Sequence, residues 1–521
     1  MLKMSIHKKQ QLRSKNRFTL RKTTSNGAKK LKVHFIGIGG IGVSALAQYY
    51  LAKGHKVSGS DLVSSEITKT LKEKGAKLLI GKHKVENLPK DASLVIYSPA
   101  VRKDNPELKA AIYRTPTLPP PSPTKVGAPR PTPIDLLSYP EALGELTKKY
   151  FTIAVSGTHG KSTTTAMIGL LLTKAGLDPT VIVGTKLKEF GDSNFRMGGQ
   201  RSKVKSQKSI LVIEADEHVA SFLNYWPKII VLTTIEEDHL DYYKNLNNIL
   251  KTFKKYVGHL PRNGYLIANK DDENIKKILR TQNVKRSAIS TIVENVNRFS
   301  LRQREAKRLR RILKIPGEHN VSNALAALTT ARVLKISDKI SFKALSEYKG
   351  SWRRFEIKKG VINGKQITVV SDYAHHPTEI KATLEATKEK YLYPPKFSKG
   401  KLRRARKKIW CVFQPHQYQR TFYLFDDFVK VFKTAPVDQL IITDIYDVAG
   451  REEKEVKKKV NSEKLIEAIN KPWAIYLPQE EIINYLRKNL KGGEVVIIMG
   501  AGDIYNLTIH LTELGKKKKI K

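Results

Sequence analysis

The sequence predicts an α/β protein of three domains, each built around a parallel sheet. Three observations predict it. Short apolar runs end in glycine-rich, acidic or histidine-bearing turns, the pattern of strands buried on both faces. Helical stretches separate these runs, so strand and helix alternate from end to end. The length, 521 residues, corresponds to about three domains at roughly 100–200 residues each.

In chain order, residues 1–30 are basic and polar and read as a disordered tail without the apolar centre of an export signal. The first domain is expected over 31–148. It opens with the run from Lys32 to Gly37, a helix from Val43 to Ala52 and a strand from His55 to Gly59. That order, strand–turn–helix–strand, starts a doubly wound sheet. Residues 115–133 are proline-rich; proline cannot donate ladder hydrogen bonds or continue a helix, so the segment reads as an inserted loop before a strand near Ile134. The second domain is expected over 149–348, from the strand at Phe151–Val155, with further strands at Ser209–Glu214 and Lys228–Thr233 and a helix at Asn323–Leu334. The third is expected over 349–521, with strands at Ile367–Ser371, Lys408–Phe413, Gln439–Asp444 and Glu494–Met499.

Composition narrows the function classes. Hydrophobic residues make up 40%, and no run approaches the ~18 apolar residues of a membrane span. The single cysteine, Cys411, excludes an internal disulfide or a cysteine metal cluster and reads as a buried strand residue. Lys and Arg total 96 against 48 Asp and Glu, a formal net charge of +48. Such a balance suits nucleic acid, anionic small substrates or a generally basic proteome. The charge is spread along the chain, with denser patches at the N-terminus, at Arg298–Arg311, at 396–408 and at Lys516–Lys519. Aromatic residues are not interleaved as stacking platforms, so specific nucleic-acid binding is not expected.

The strongest chemical signal is Gly157-Thr158-His159-Gly160-Lys161-Ser162-Thr163, directly after a strand and before an apolar helix. Backbone N–H groups of such a loop cradle phosphate oxygens, the helix N-terminus adds positive potential, the lysine neutralises charge and the serine hydroxyl reaches Mg²⁺. Val155 stands where the longer P-loop has its first glycine, so this is a shorter variant. Glu214 and His239 end later strands beside Asp216, Glu217, Asp238 and Asp241. Oxygen ligands with one imidazole suit Mg²⁺ or Mn²⁺ beside a triphosphate, although each cluster alone also reads as surface carboxylates. The run Gly37-Ile38-Gly39-Gly40-Ile41-Gly42, with Asp61 about 20 residues on, has the form of a diphosphate-binding turn. The loops His375-His376-Pro377 and Gln414-Pro415-His416 through Arg420 follow strands in the third domain, where open α/β sheets bind ligands.

Taken in order, His34 to Gly42, Gly157 to Thr164, Glu214-Ala-Asp-Glu, Gly317-Glu-His-Asn320, Arg353-Arg354-Phe-Glu, Asp372-Tyr-Ala-His-His-Pro, Gln414-Pro-His and Gly500-Ala-Gly-Asp503 resemble the Mur ligases over about residues 31–514. The pattern is most similar to members that join L-alanine to UDP-N-acetylmuramate. The resemblance implies a Rossmann-like UDP-binding domain, a central P-loop-type ATPase and a C-terminal Rossmann-like domain that admits the amino acid. It implies ATP and Mg²⁺ as cofactors, with Lys161 on the phosphates and Ser162, Glu214 and His239 serving the metal. His319 and Asn320 are then expected near adenine, and Arg354 and Asp372 near the ribose and phosphates. His375, His376 and Arg420 are expected at the L-alanine pocket, one of the histidines as base. Gly39, Gly40, Gly42, Asp61 and Ser98 are expected to hold the UDP-sugar. It also implies a cytoplasmic location and leaves the oligomeric state open.

The chain departs from the family pattern at Ser162 (commonly threonine), Ser371 (aspartate), Gln417 (arginine) and His218-Val219 (Ser-Asp). The proline-rich and basic inserts also lie outside it. Competing readings are a ligase that attaches a recycled murein peptide to the same UDP-sugar, a nicotinamide-dependent oxidoreductase using Gly37–Gly42, and a basic nucleic-acid-binding ATPase. The oxidoreductase leaves the Gly157–Thr163 loop unexplained.

Overall fold

The computed structural model describes residues 30–115, 133–199, 209–280, 294–392, 406–448 and 454–513. Residues 1–29 of the basic tail, 116–132 of the proline-rich segment, 396–405 of the basic insert and the Lys516–Lys519 run lie outside these.

Three sheets follow one another along the chain. The first contains β1 (Lys32–Ile36), β2 (Lys56–Asp61), β3 (Lys77–Ile80), β4 (Leu94–Tyr97) and β5 (Asp135–Ser138), all parallel in the order β3-β2-β1-β4-β5. The order reverses between β1 and β4, so the Gly37–Gly42 turn after β1 opens into the crevice of a doubly wound sheet. The second contains β6 (Phe151–Ser156), β7 (Thr180–Leu187), β8 (Ser193–Arg196), β9 (Ile210–Glu214), β10 (Ile229–Leu232), β11 (Tyr265–Asn269) and β12 (Asn295–Phe299), in the order β12-β11-β10-β6-β9-β7-β8. Only β8 runs antiparallel to its neighbour. The third contains β13 (Glu356–Ile362), β14 (Lys365–Asp372), β15 (Ile409–Phe413), β16 (Gln439–Ile442), β17 (Ala474–Tyr476) and β18 (Val495–Met499), in the order β13-β14-β18-β15-β16-β17, with β13 antiparallel at the edge.

Alternation along each central strand divides its side chains between two cores. In the second sheet Ala154, Leu211, Ile213, Ile230 and Leu232 face one cluster, and Ile153, Val155, Val212, Ile229 and Val231 the other. The third sheet divides likewise, with Cys411 and Phe413 on one face and Val412 on the other. Cys411 is fully buried, as expected.

The first and second sheets share one continuous apolar cluster. The helix Ile41–Ala52 forms part of it, packing against β7 and β8 as well as its own sheet. A buried polar clasp fixes the register: Asn194 Nδ2 donates to Ser44 Oγ (2.9 Å) and Gln48 Nε2 donates to Asn194 Oδ1 (2.7 Å). Helix Lys161–Lys174 is buried from Ser162 to Leu172, because it lies between the second sheet and the helices Glu318–Val333 and Asp338–Glu347.

The helix expected from Asn323 begins at Glu318, after Gly317 at φ 97°. His319 and Asn320 therefore sit in its first turn. Sequence patterning also missed β3, β4, β7, β8, β11, β12, β13 and β17.

Candidate functional site

A cavity of about 660 Å³ lies where the three sheets meet. Its walls include strand C-terminal ends and the turns and helix starts that follow them: Gly42 in the first domain, Thr158–Thr163, Glu214 and Thr234 in the second, and Asp372, Tyr373 and His375 in the third.

The phosphate loop forms its floor. Gly157 and Gly160 adopt φ of 132° and 80°, where a side chain is strained. A Cβ on Gly160 would stand 2.3 Å from Asn323 Oδ1, and one on Gly157 2.2 Å from Thr233 Oγ1. The turn after β10 holds the loop from below: Thr158 N donates to Thr234 O (2.8 Å) and His159 N to Thr234 Oγ1 (3.1 Å). Lys161 Nζ donates to Gly157 O (2.7 Å) and to both oxygens of Glu217 (2.9 and 3.0 Å). Burial works against the ammonium, but the Glu217 and Asp216 charges outweigh it and hold Lys161 protonated. Burial raises Glu217 itself to about 7, against the opposing pull of Lys161.

Ser162 Oγ donates to Glu214 Oε2 (3.0 Å), and Gly184 N donates to the other oxygen. Burial raises the Glu214 carboxyl above its ordinary range. His239 lies in a different grouping from the expected pair: its ligand nitrogen is within 4.8 Å of carboxylate oxygens of Asp216 and Glu217. Burial lowers it to about 3, leaving a neutral imidazole able to accept a cation. The groups beside the phosphate loop thus comprise a hydroxyl, carboxylates and a neutral imidazole, donor types that fit Mg²⁺.

The third domain closes the cavity from above. Arg354 reaches the phosphate loop, with Nη2 3.4 Å from Ser162 Oγ, and its guanidinium lies over the Tyr373 ring at 4.8 Å. Asp372 accepts from Phe355 N and Ala374 N, both at 2.8 Å, and so fixes the two turns carrying Arg354 and His375. Burial raises it to about 6. His319 and Asn320 line the same cavity from the N-terminus of their helix; burial lowers His319 to about 4, and Asn320 Nδ2 donates to Pro316 O (2.6 Å).

The adjacent histidines separate in role. His375 Nδ1 lies 2.9 Å from Tyr373 O and donates to it, which leaves Nε2 unprotonated on a ring that lines the cavity. Burial lowers His375 to about 4. His376 turns away: its Nε2 is 3.0 Å from Glu237 O, and its Nδ1 accepts from Thr378 N as the cap of helix Pro377–Tyr391. With both nitrogens engaged by backbone, His376 is a bracket between domains, which does not fit the expectation of it as a base; of the two histidines His375 is the one that lines the cavity. Arg420 is likewise engaged. It forms a buried ion pair with Asp238 (3.1 Å) that spans the second and third domains.

In the first domain Asp61 accepts from Gly39 N (2.7 Å) and so braces the glycine turn. Gly40 precedes the helix Ile41–Ala52, and Ser98 Oγ accepts from Ala100 N (3.2 Å) beside Gly37. Of these five residues only Gly42 is in the cavity wall, where it makes room for Tyr139: a Cβ would stand 2.8 Å from that hydroxyl. Sequence reading did not single out Tyr139, Glu236 or Glu379. Glu379 had a usable signal, the i,i+4 spacing from His375; Tyr139 had none, since only tertiary folding brings it to Gly42.

Three α/β sheets converging on a short phosphate loop, with acidic and imidazole groups beside it, define a nucleotide-dependent enzyme whose third domain covers that loop. Family comparison agrees. The chain matches the Mur ligase middle domain over residues 155–331, the Mur ligase family catalytic domain over 32–122, and the Mur ligase glutamate ligase domain over 353–502. It is 43% identical to the UDP-N-acetylmuramate–L-alanine ligase of Acetivibrio thermocellus, covering 91% of this chain and 94% of that one. It is 40% identical to the enzyme of the same name from Clostridium acetobutylicum, covering 91% and 96%. The crystal structure of UDP-N-acetylmuramate-alanine ligase from Thermotoga maritima superposes with a TM-score of 0.68 at 26% identity, over 94% of this chain and all of that one. The chain belongs to the Mur ligase family.

Proposed function

We propose that this protein joins L-alanine to the carboxylate of UDP-N-acetylmuramate, with conversion of ATP to ADP and phosphate, in peptidoglycan precursor synthesis. The observation that carries the reading is the single cavity in which the phosphate loop meets Arg354 and His375 of the third domain and Gly42 of the first. Its agreement with relatives of that name along nearly the whole chain supports the substrate pair.

The chemistry explains the groups. A carboxylate does not acylate an amine directly, because its oxygen leaves poorly. Phosphorylation by ATP makes an acyl phosphate, whose phosphate the amine then expels. Lys161 and Arg354 bring two cations to the transferring phosphoryl group, and the N–H groups of the loop orient it. Ser162 and Glu214, with His239, Asp216 and Glu217 adjacent, would hold Mg²⁺, which would supply charge neutralisation. His319 and Asn320 receive the base, and Asp372 fixes the turns that reach the phosphates. His375, neutral and with Nε2 free to accept a proton, takes the proton of the amine. Closure over the cavity, braced by Arg420 and His376, excludes water that would hydrolyse the acyl phosphate. Gly39, Gly40, Gly42, Asp61 and Ser98 shape the UDP-sugar subsite. In this reading residues 31–148, 149–348 and 349–521 are the UDP-sugar, ATP and amino-acid domains, and the enzyme works in the cytoplasm.

The test is phosphate release from ATP with Mg²⁺ and UDP-N-acetylmuramate, adding amino acids one at a time and the peptide L-Ala-γ-D-Glu-meso-diaminopimelate separately. Release that needs both the UDP-sugar and L-alanine is the expected result. Release only with the peptide transfers the assignment to peptide recycling. Lys161→Ala should abolish ADP formation while UDP-sugar binding stays measurable; retained turnover would sink the phosphate-loop assignment.

A further inference from the structure

Two phenols in the cavity wall have no part in the chemistry described so far. Tyr139 and Tyr225 both line the cavity, and neither hydroxyl makes a hydrogen bond among the described residues, although Tyr225 is only 1% exposed. When the cavity is filled, their acceptors come from the occupant. The sequence holds both rings in place. Ser138 caps helix Tyr139–Lys149 through a capping box with Glu141, and Pro140 stiffens the same turn. Gly144 lets that helix approach Asn224, where a Cβ would stand 2.4 Å from the Asn224 carbonyl oxygen, and Trp226 N donates to Thr147 Oγ1 (3.0 Å). Tyr225 lies between these two anchored residues. On one side the phenols reach the glycine turn. The Tyr139 hydroxyl stands where a side chain on Gly42 would be, beside a helix N-terminus that no side chain caps. Such an end favours an anion. On the other side lie the carboxylates of the phosphate loop. Burial and the charges of Glu214 and Asp216 raise Tyr139; burial, Tyr139 and Asp216 raise Tyr225. Both phenols therefore remain protonated and act as donors.

We propose that Tyr139 and Tyr225 contact the UDP-sugar directly, Tyr139 donating to an oxygen of its diphosphate and Tyr225 to its sugar, so that the pair sets the path from the glycine turn to the phosphate loop. The inference rests on the substrate reading above. A UDP-sugar whose diphosphate lies at Gly39–Gly42 has to bring its carboxylate to Lys161 and Ser162. Tyr139, against Gly42, stands at the start of that path, and Tyr225 follows it, next to Tyr139 and within the field of Asp216. A neutral donor suits this position. A lysine or arginine there would pair with Glu214 and Asp216 and take them from a metal ion, whereas a phenol bonds the anionic substrate and leaves those carboxylates available.

The test is calorimetric titration of the full chain with UDP-N-acetylmuramate, with UDP and, separately, with ADP and Mg²⁺. Y139F and Y225F each remove one hydroxyl and keep the ring, so packing is retained. Y139F should weaken UDP-N-acetylmuramate and UDP alike by about ten- to a hundredfold, the loss of a hydrogen bond to a charged group. Y225F should weaken UDP-N-acetylmuramate about three- to tenfold and leave UDP within twofold. ADP affinity should stay within twofold in both variants. A change under twofold for UDP-N-acetylmuramate in either variant overturns the contact assigned to that hydroxyl. An equal loss of ADP affinity overturns it too, because it shows that the phenol only supports the fold. A Y139F loss that is absent with UDP overturns its place on the diphosphate. A natural chain that binds ADP but not UDP-N-acetylmuramate removes the substrate reading itself, and the inference with it.

Discussion

Glu107 offers the sharpest quantitative test of the first domain. Its side chain is fully buried and accepts four hydrogen bonds: from Ser60 Oγ (2.6 Å), Asn87 Nδ2 (2.7 Å), His83 Nδ1 (2.9 Å) and His34 Nε2 (3.2 Å). Burial opposes its ionisation, but the bonds from His34, Ser60, Asn87 and His83 outweigh it and bring the pKa from 4.5 to about 2. A fall of that size corresponds to roughly 3 kcal/mol of stability at neutral pH. The group is a depressed carboxylate, so this stability is present above pH 4.5 and is lost as pH falls toward 2. The network also underlies the glycine turn, because Gly37 N and Ile38 N donate to Ser60 O.

In Glu107→Gln the amide retains one acceptor and turns a donor toward groups that are already donors. The expected cost is about 2–4 kcal/mol. Unfolding of three domains is not a two-state process, so the measurement is hydrogen–deuterium exchange of the β1 amides, which reports opening of their own unit. At pH 7.5 these amides should exchange roughly a hundredfold faster in the variant, the equivalent of about 3 kcal/mol. The ratio of variant to natural protein should shrink at pH 3 and approach one near pH 2. A ratio within threefold at pH 7.5, or one that does not change with pH, would refute the argument that the bonded carboxylate is the stabilising species.

Three other outcomes follow from the site. Asp238→Asn leaves Arg420 buried without its partner; a buried pair broken on one side costs about 3–5 kcal/mol, so kcat/KM should fall by roughly a hundredfold, with small-angle scattering showing a more open chain. A loss under threefold would mean that the pair does not support closure. His375→Gln should lower kcat by roughly a hundredfold while leaving nucleotide affinity within a few-fold, and activity within twofold of normal would remove His375 as the base. Val219→Asn should raise stability by about 1 kcal/mol, because exposed Val219 is held at φ 48° and a β-branched residue is strained there; an unchanged melting temperature would show that the strain is relieved elsewhere.

Val219 also illustrates what the sequence carried. His218-Val219 already stood out as a departure from Ser-Asp, and the structure supplies the consequence, a left-handed pair at Val219 and Ala220. The buried strands β6, β9, β10, β15 and β18 were legible because parallel strands buried on both faces read as unbroken apolar runs. Not every such run was read: β4, β7 and β11 lie inside their sheets and were missed along with the edge strands β3, β8, β12, β13 and β17. β13 and β12 read Glu-Ile-Lys-Lys-Gly-Val-Ile and Asn-Val-Asn-Arg-Phe, and only pairing with β14 and β11 makes them strands. The phosphate loop was legible because its chemistry is local, a glycine turn between strand and helix. The start of the helix at Glu318 was not, because its N-terminal turn carries Glu, His and Asn in place of apolar residues.

The least legible part of the site was its closure, and the reason is physical. Glu236, Glu237 and Asp238 form a three-residue acidic turn that on sequence alone resembles any solvated loop. In the fold each residue meets a different group of the third domain: Thr378 on Glu236, His376 on the Glu237 carbonyl, Arg420 on Asp238. His159 of the phosphate loop joins the same cluster from below, between Glu236 and Glu379. Burial alone would keep that imidazole neutral, yet the two carboxylates raise it to about 10. Of those carboxylates Glu379 comes from the third domain, so the larger part of the charge that holds His159 protonated depends on that domain being down. The loop that receives phosphate is therefore coupled to domain position through His159 as well as through Arg354. Substitutions at Glu379, more than 200 residues away in sequence, should alter ATP affinity as well as closure. A variant such as Glu379→Gln that changed closure by scattering but left ATP binding untouched would break that coupling.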